Sequence, residues 1–346
     1  MSNRTDSHRA FIERLVIAVI VVGIAFLLWN LRALFMLAFG AVLVAFILNL
    51  IALPIRERLG VPAPLALVAA VLIVLAVLGT AVWTFGAQIA GQAQALRELI
   101  PGAWQAMQAR LEAWGLGSAV RDASASMTAR GSVLSNIGNL AVTVGNGLVD
   151  TLLVIVGGIY LAAQPALYRT GLIKLVPKRG RALATDALDA SGRALRLWLL
   201  GRLVSMGVVG LLTWLGLSLI GVPSALALGL LAALLEFVPF LGPLLSAVPA
   251  VLLAFADSPE KALWTILLFV AIQQFEGNLL EPLVQQRAVE LPPALLLFAL
   301  VAGGLVFGVA GVILAAPFTV VLFVMVKRLY VQEALDTETP LPGEKA

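Results

Sequence analysis

The sequence predicts an all-α, polytopic membrane protein, and three observations lead to this fold class. Of the 346 residues, 61% are hydrophobic and only 12% are charged, which is about half the charge of a soluble domain. The apolar residues form continuous blocks, near or above the roughly 20 residues that cross a bilayer as a helix. Because the strands of a membrane β-barrel alternate apolar and polar residues, these continuous blocks exclude that class.

The composition also excludes several kinds of chemistry. The chain has no cysteine, and its single histidine, His8, lies in the N-terminal tail, so no thiolate or His-ligated site is expected inside the membrane. The sequence contains no Gly-Lys pair, which every P-loop requires, no HExxH motif, and no histidine outside the tail that could form a Ser-His pair inside the membrane. We therefore expect neither an enzyme nor an ATP-driven pump, and no cofactor or metal. The excess of basic residues is attributed to membrane topology rather than to nucleic acid.

About eight transmembrane helices are predicted from the apolar blocks. The first two spans are joined by only three residues, Asn30 to Arg32, which predicts an antiparallel hairpin. The spans lie at about 15–29, 33–53, 65–85, 148–163, 203–220, 226–255, 262–280 and 294–330.

The chain is expected to have five parts. These are an N-terminal tail with the first three spans (1–86), an extracytoplasmic insert of amphipathic helices (87–147), a fourth span with a basic cytoplasmic helical loop (148–202), a transport core with broken or re-entrant helices (203–330), and a cytoplasmic tail (331–346). The basic loop reads as an amphipathic helix that runs into the fifth span.

The distribution of positive charge predicts the orientation. With eight crossings, most basic residues fall on one side, together with both termini and, by this count, Lys261. The positive-inside rule then places that side in the cytoplasm and the insert outside. The expected location is the bacterial inner membrane, with both termini cytoplasmic.

Two apolar segments are interrupted where a simple membrane anchor would be continuous. The segment Leu226–Phe255 contains Pro239, Gly242 and Pro243, and the segment Gln273–Leu283 ends with Pro282. Internal prolines remove backbone donors, so the freed carbonyl groups need protein or water as partners. Broken helices that point their ends at a solute are a recurrent pattern in transporters.

Acidic side chains accompany both interruptions. A carboxylate at the centre of a membrane helix costs about 2.5–3.5 kcal/mol on insertion scales, so Glu236 and Glu276 require partners, water or a proton. Either is a candidate coupling site, together with the nearby polar residues Gln273, Gln274 and Asn278. The alternative is structural: each carboxylate caps a broken helix or pairs with a buried arginine.

The last apolar segment is too long for one straight helix. It is divided by a series of small residues and one proline, namely Gly303, Gly304, Gly308, Gly311 and Pro317. The Gly304-x-x-x-Gly308 spacing would allow close packing or sliding of helices, and close packing alone is a sufficient explanation.

The order of these motifs resembles a known family. GVPSALALGLLAALLEFVPFLGP, followed by QFEGNLLEPL and then by the glycine-rich segment ending in AAP, is similar to the AI-2E family of bacterial inner-membrane proteins, formerly the UPF0118 or PerM-like group. The resemblance covers about residues 11–328. It matches Glu276, Asn278 and Pro282 to the family's Glu-Gly-Asn-x-x-x-Pro element. Pro239, Gly242 and Pro243 match the family's Pro-x-x-Gly-Pro break, and the terminal glycines match its glycine-rich element. Arg196 and Gly201 match the helix before the fifth span.

The resemblance implies a secondary exporter of a small solute, such as autoinducer-2 or another small polar molecule, driven by a proton or sodium gradient. A sodium/proton antiporter using the same carboxylates and a non-transporting membrane scaffold are the alternatives. The implied partners are the lipid bilayer, a small molecule or cation, and further copies of the chain, with a pentamer as one option. The sequence departs from the family pattern at three positions. Phe240 lies where an aromatic with a hydroxyl group is common, Leu291-Pro292-Pro293 lacks the histidine often placed before that proline, and Arg202 stands where glutamine is frequent.

Overall fold

A computed structural model describes residues 29–77, 149–282 and 291–336, together with parts of the segments 15–27 and 79–83. All regular elements in these residues are helical. The α-helices, with our numbering, are α1 (Arg32–Leu59), α2 (Ala63–Val77), α3 (Val149–Ala163), α4 (Pro165–Lys174), α5 (Arg181–Ile220), α6 (Ala225–Leu235), α7 (Leu241–Asp257), α8 (Pro259–Phe275) and α9 (Pro293–Val326). The predicted insert, 87–147, lies outside the described residues.

Several helices are suited to cross a bilayer by length and composition. Four described stretches qualify, and a fifth qualifies if α3 and α4, which meet at an angle of 90°, form one broken span. The four stretches are Arg32–Leu59, Lys178–Ile220, Pro259–Leu280 and Pro293–Gln332. The predicted fold class, an all-α multi-pass membrane protein, is therefore confirmed.

The chain does not reverse direction between the first two predicted spans. Leu31 has φ −85° and ψ 2°, and helical hydrogen bonds continue through it, from Leu31 N to the Leu27 carbonyl and from Phe35 N to the Leu31 carbonyl. The prediction of an antiparallel hairpin at residues 30–32 is wrong. No glycine or proline stands there to end the helix, so the backbone bends and stays helical.

Small side chains let α1 and α2 pack closely. Gly60 ends α1 in the left-handed conformation, with φ 65°, which glycine adopts without strain. Ala52 of α1 and Ala66 and Ala70 of α2 then share one buried cluster. Alanines and glycines at such contacts bring helix backbones close together, as is usual in membranes.

Helix α5 is the central element of the described structure. It has 40 residues and is therefore about 60 Å long. Its first turns are held by two ion pairs, Asp189 with Arg169 of α4 at 2.5 Å and Asp186 with Arg328 at 2.5 Å. We call this the basic end of the molecule. The predicted amphipathic helix that runs into a span is confirmed as one continuous helix.

Helices α6 and α7 form a hairpin that enters and leaves at the same end. Leu228, near the start of α6, and Ala254, near the end of α7, belong to one buried cluster with Leu217 of α5. At the mouth of the hairpin, Lys261 Nζ donates to the Gly221 carbonyl oxygen at 3.0 Å. We call this the far end, because α5 separates it from the basic end.

The hairpin corrects one assignment made from the sequence. The charge distribution predicts that Lys261 lies on the same side as the basic loop, but it lies at the far end, beside Gly221. The cause is that the segment 226–255 turns back instead of crossing. Helix α8 then runs antiparallel to α5, with Leu268 beside Gly216 and Glu276 beside Arg202.

Helix α9 is divided at Gly308, as predicted for the last segment. Gly308 has φ 65° and ψ −145°, a conformation that is essentially restricted to glycine. A Cβ atom on Gly303 would lie 2.7 Å from the Gly311 carbonyl oxygen, so the two halves touch backbone to backbone. Leu291, which precedes the first half, packs against a buried cluster that contains Val320 and Val324 of the second half. The two halves therefore form a second hairpin.

Candidate functional site

The first hairpin places a carboxylate at its tip. Glu236 ends α6, and a short connection leads to α7. Phe240 has φ 64° and ψ −43°, and Leu241 N donates to the Pro239 carbonyl oxygen at 2.7 Å. This is a γ-turn with positive φ at its central residue, a rare form that is strained for a residue with a side chain. At Gly242 any Cβ atom would collide with the Leu235 carbonyl oxygen, so the tip requires glycine at that position.

The guanidinium group of Arg202 lies between two carboxylates. Its Nη2 atom is 2.7 Å from Glu236 Oε1, and its Nη1 atom is 3.5 Å from Glu276 Oε1. Its Nε atom donates to the Phe237 carbonyl oxygen at 3.4 Å. The three charged residues are 8%, 1% and 4% exposed for Arg202, Glu236 and Glu276. The two carboxylates thus face protein, not lipid, and they pair with a buried arginine.

Glu276 is held at the start of a π-helical stretch. This stretch, Glu276–Leu280, follows α8 directly, and such local widening of a helix is frequent at functional sites. Gln273, one turn earlier, donates from Nε2 to Glu276 Oε2 at 3.4 Å. Glu281 is half-buried and interacts electrostatically with Glu276 and Arg202. The Arg202 guanidinium therefore contacts two carboxyl groups, and Glu281 adds a third acidic residue to the same region of the chain.

Glu236 is poorly supplied with hydrogen-bond donors. Neither of its carboxylate oxygens accepts an aligned hydrogen bond, although Arg202 is in ion-pair contact with one of them. Glu236 and Glu276 both contact the single guanidinium group of Arg202. Two ionised carboxylates beside one cation leave a buried negative charge unbalanced, and one proton on either group neutralises it. The arrangement is therefore suited to bind and release a single proton.

The predicted polar residues divide into two groups. Gln273 joins Glu276, whereas Asn278 donates to Gln274 at 3.1 Å on an exposed face of the same segment. Residues 273 and 276 are three apart and residues 274 and 278 are four apart, so each pair lies on one face of the helix. The two faces are different, and Gln274 and Asn278 are not part of the carboxylate cluster.

The remaining predicted residues shape the backbone around the cluster. Pro239, Gly242 and Pro243 lie at the tip of the first hairpin or directly after it, and Pro282 is exposed beyond the π-helical stretch. Gly303, Gly304, Gly308 and Gly311 form the tip of the second hairpin, and Pro317 is fully buried in its second half.

Arg202 is the site residue that the sequence did not identify. It ends the basic segment, so it reads as the last positive charge of a cytoplasmic loop. Its separation from Arg196 by apolar residues and Gly201 was the available signal, since an arginine that deep in an apolar run needs an anionic partner. Among the described residues, no group of acidic side chains and histidines has the arrangement of a metal site.

Comparison with known proteins identifies relatives of the chain. The chain is 36% identical to YueF of Bacillus subtilis (strain 168), which bears the provisional name of transport protein, over 153 residues, or 44% of this chain and 38% of YueF. It is 29% identical to the AI-2 transport protein TqsA of Escherichia coli (strain K12) over 154 residues, or 44% of this chain and 43% of TqsA. These alignments span less than half the length of each relative. The model of the AI-2E family transporters matches residues 15–330, and the chain therefore belongs to the AI-2E transporter family.

Proposed function

We propose that the protein is a secondary transporter that exports a small polar solute across the bacterial inner membrane in exchange for protons. Family membership supports transport, and the name of TqsA makes autoinducer-2 the first solute to test. The Arg202–Glu236–Glu276 cluster is the proposed coupling site. Glu236 sits at the tip of the α6–α7 hairpin, so a change in its charge alters the contact between this tip and Arg202 of α5.

The observation that carries this proposal is the imbalance of charge in the cluster. Arg202 supplies one positive charge, while Glu236 and Glu276 supply two negative charges when both are ionised. An unpaired charge in so buried a place is costly, and one proton between the two carboxyl groups removes it. Gain and loss of that proton alter the pairing of Arg202, and with it the contact between α5 and the hairpin tip.

The same geometry favours a proton over a sodium ion at this site. A sodium ion that entered the cluster would meet the guanidinium group of Arg202, which already occupies the position between the carboxylates. Two positive charges at that distance repel strongly in a buried environment. Sodium/proton antiport, the alternative that uses these carboxylates, would require Arg202 to leave the cluster.

Substitution of Glu276 by glutamine tests the coupling role. In vesicles containing the purified protein, we expect Glu276→Gln to lower the proton flux driven by a solute gradient at least tenfold, because the second carboxyl group is gone. Exchange of labelled for unlabelled solute across the membrane needs no net proton movement and should persist. Autoinducer-2 is the first probe, followed by a panel of small polar metabolites and by sodium.

The matched control is Glu260→Gln, which removes a carboxylate from the exposed first turn of α8 and should leave both fluxes unchanged. Normal proton flux in Glu276→Gln would exclude that residue from coupling. Absence of any flux in the unmodified protein, for every solute and cation tested, would favour a membrane scaffold instead.

By the positive-inside rule, we also propose that the basic end lies in the cytoplasm. We further propose that copies of the chain associate. The exposed Gln274–Asn278 pair in a candidate membrane span supports association, because exposed amides on a span are favourable against water or protein and unfavourable against lipid tails. Light scattering of the detergent-solubilised protein should give a mass several times that of one 36.4 kDa chain. A single-chain mass at all concentrations tested would contradict association.

A further inference from the structure

Buried polar atoms without a hydrogen-bond partner occur in a restricted part of the described structure. They belong to five residues, three of which lie on α5: Ser191, Arg202 and Thr213, together with Glu236 and Thr265. All five side chains are more than nine-tenths buried. Buried polar groups are normally paired, so an unpaired one usually indicates water or an ion at that position.

The three residues on α5 form one straight stripe. Ser191, Arg202 and Thr213 are spaced by eleven residues, which is close to three helical turns, so they lie on the same face. The stripe from Ser191 to Thr213 is about 33 Å long at 1.5 Å per residue. This length matches the roughly 30 Å hydrocarbon thickness of a bilayer, and Arg202 lies at its midpoint.

Thr265 extends the stripe onto the facing helix. It precedes Glu276 by eleven residues on α8, so these two also share a face. Because α8 is antiparallel to α5, with Leu268 beside Gly216 and Glu276 beside Arg202, Thr265 lies within about two helical turns of Thr213 along the axis. Both hydroxyl groups therefore lie on the far-end side of the carboxylate cluster.

The missing partners are not a general property of hydroxyl groups in these helices. Thr185, Ser218 and Thr319 each donate to the carbonyl oxygen four residues earlier at 2.7 Å. That is the usual way for a helix to satisfy a hydroxyl group in an apolar environment. Thr213 and Thr265 are 0% exposed and make no such bond, so their hydroxyl groups remain available to another molecule.

We propose that Ser191, Thr213 and Thr265 hold ordered water that carries protons to the Arg202–Glu236–Glu276 cluster, from the basic end through Ser191 and from the far end through the two threonines. The inference rests on the proposed proton coupling and names its route. A hydroxyl group both donates and accepts, so it can pass a proton through water without a charge of its own. Val209 and Ile272 form an apolar cluster on the far-end side of the charges, which interrupts the route in this conformation.

Cysteine substitution tests water access directly, because the chain contains no cysteine of its own. Ser191→Cys, Thr213→Cys and Thr265→Cys are placed in sealed vesicles and treated with a membrane-impermeant thiosulfonate, which reacts with the thiolate in water. We expect Ser191→Cys to react from the side of the basic end, and the two threonine variants from the opposite side. Lys178→Cys and Glu260→Cys, on exposed turns at the two ends, calibrate the sides.

Thr319→Cys is the matched buried control, because the Thr319 hydroxyl is satisfied by the Ala315 carbonyl oxygen. The three stripe variants should react at least tenfold faster than Thr319→Cys in the folded protein, and all four should react equally after denaturation. Rates equal to that of Thr319→Cys would overturn the proposal, as would labelling of all three positions from one side. Labelling does not depend on solute transport, so its failure is distinguishable from failure of the proposed function.

A second measurement tests the role of the hydroxyl groups in proton movement. Thr213→Val keeps the shape of the side chain and removes its hydroxyl group, and we expect a several-fold lower proton flux with solute exchange retained. Thr213→Ser should restore the flux, while Thr319→Val should not change it. An unchanged flux in the Thr213→Val and Thr265→Val double variant would remove these residues from the route.

Discussion

Substitution of Arg202 by glutamine is expected to lower the free energy of unfolding by about 3–5 kcal/mol, the usual cost of leaving buried charges without their partner. Arg202 is the cation nearest to both Glu236 and Glu276, at 2.7 Å and 3.5 Å. Without it, two carboxylates would remain in a buried site with no cation beside them. Proton exchange should be lost together with stability, because the charge that controls the proton would be gone.

Two further variants separate the charge effect from loss of packing. The triple variant Arg202→Gln, Glu236→Gln and Glu276→Gln replaces the cluster with neutral amides and should regain most of the stability without regaining proton exchange. Arg169→Gln removes a half-exposed partner of Asp189 and should cost less than about 1 kcal/mol, as surface ion pairs do. Thermal unfolding in detergent, followed by circular dichroism, measures all three. An Arg202→Gln protein as stable as Arg169→Gln would contradict a buried charge cluster.

Sequence periodicity was sufficient for features that depend on one helix. The continuous amphipathic and apolar helix α5, the break after Glu236 and the division of the last segment all follow from local signals: the spacing of apolar residues, prolines, and the glycine at position 308. The reversals of chain direction do not follow from such local signals. Whether the segment 226–255 crosses or returns is decided by packing between residues far apart in the chain, such as the buried cluster that contains Leu217, Leu228 and Ala254.

The candidate site shows the same division. Glu236 and Glu276 were identified from the sequence as buried carboxylates that need partners, and this much required only the cost of an acid in an apolar run. Their convergence on Arg202 required the antiparallel register of α5 and α8. The separation of Gln274 and Asn278 from Glu276 was already contained in the helical spacing, because neighbours in sequence point to different faces.

Substitution of Gly311 by alanine is the second change with a large expected effect. A Cβ atom at this position would collide with the Gly303 carbonyl oxygen, and backbone cannot move aside as a side chain does. We expect a loss of about 1–3 kcal/mol in the free energy of unfolding, the usual cost of overpacking. Gly311→Leu should separate the two halves of α9 and abolish transport, since Arg32, which donates to the Val306 carbonyl oxygen at 3.2 Å, would lose its partner at the hairpin tip.

Gly171→Ala is the control for this prediction, and it should have the opposite sign. Gly171 lies inside α4, and a Cβ atom there would meet no other atom within 4 Å, so alanine should stabilise the helix by about 0.5–1 kcal/mol. Gly304→Ala gives an intermediate case, because its nearest neighbour is the flexible Cγ2 atom of Val312 at 3.0 Å. Thermal unfolding of the three variants should therefore rank Gly311→Ala lowest and Gly171→Ala highest. If Gly311→Ala unfolded at the same temperature as Gly304→Ala, the two halves of α9 would not be in backbone contact, and the second hairpin would be wrong.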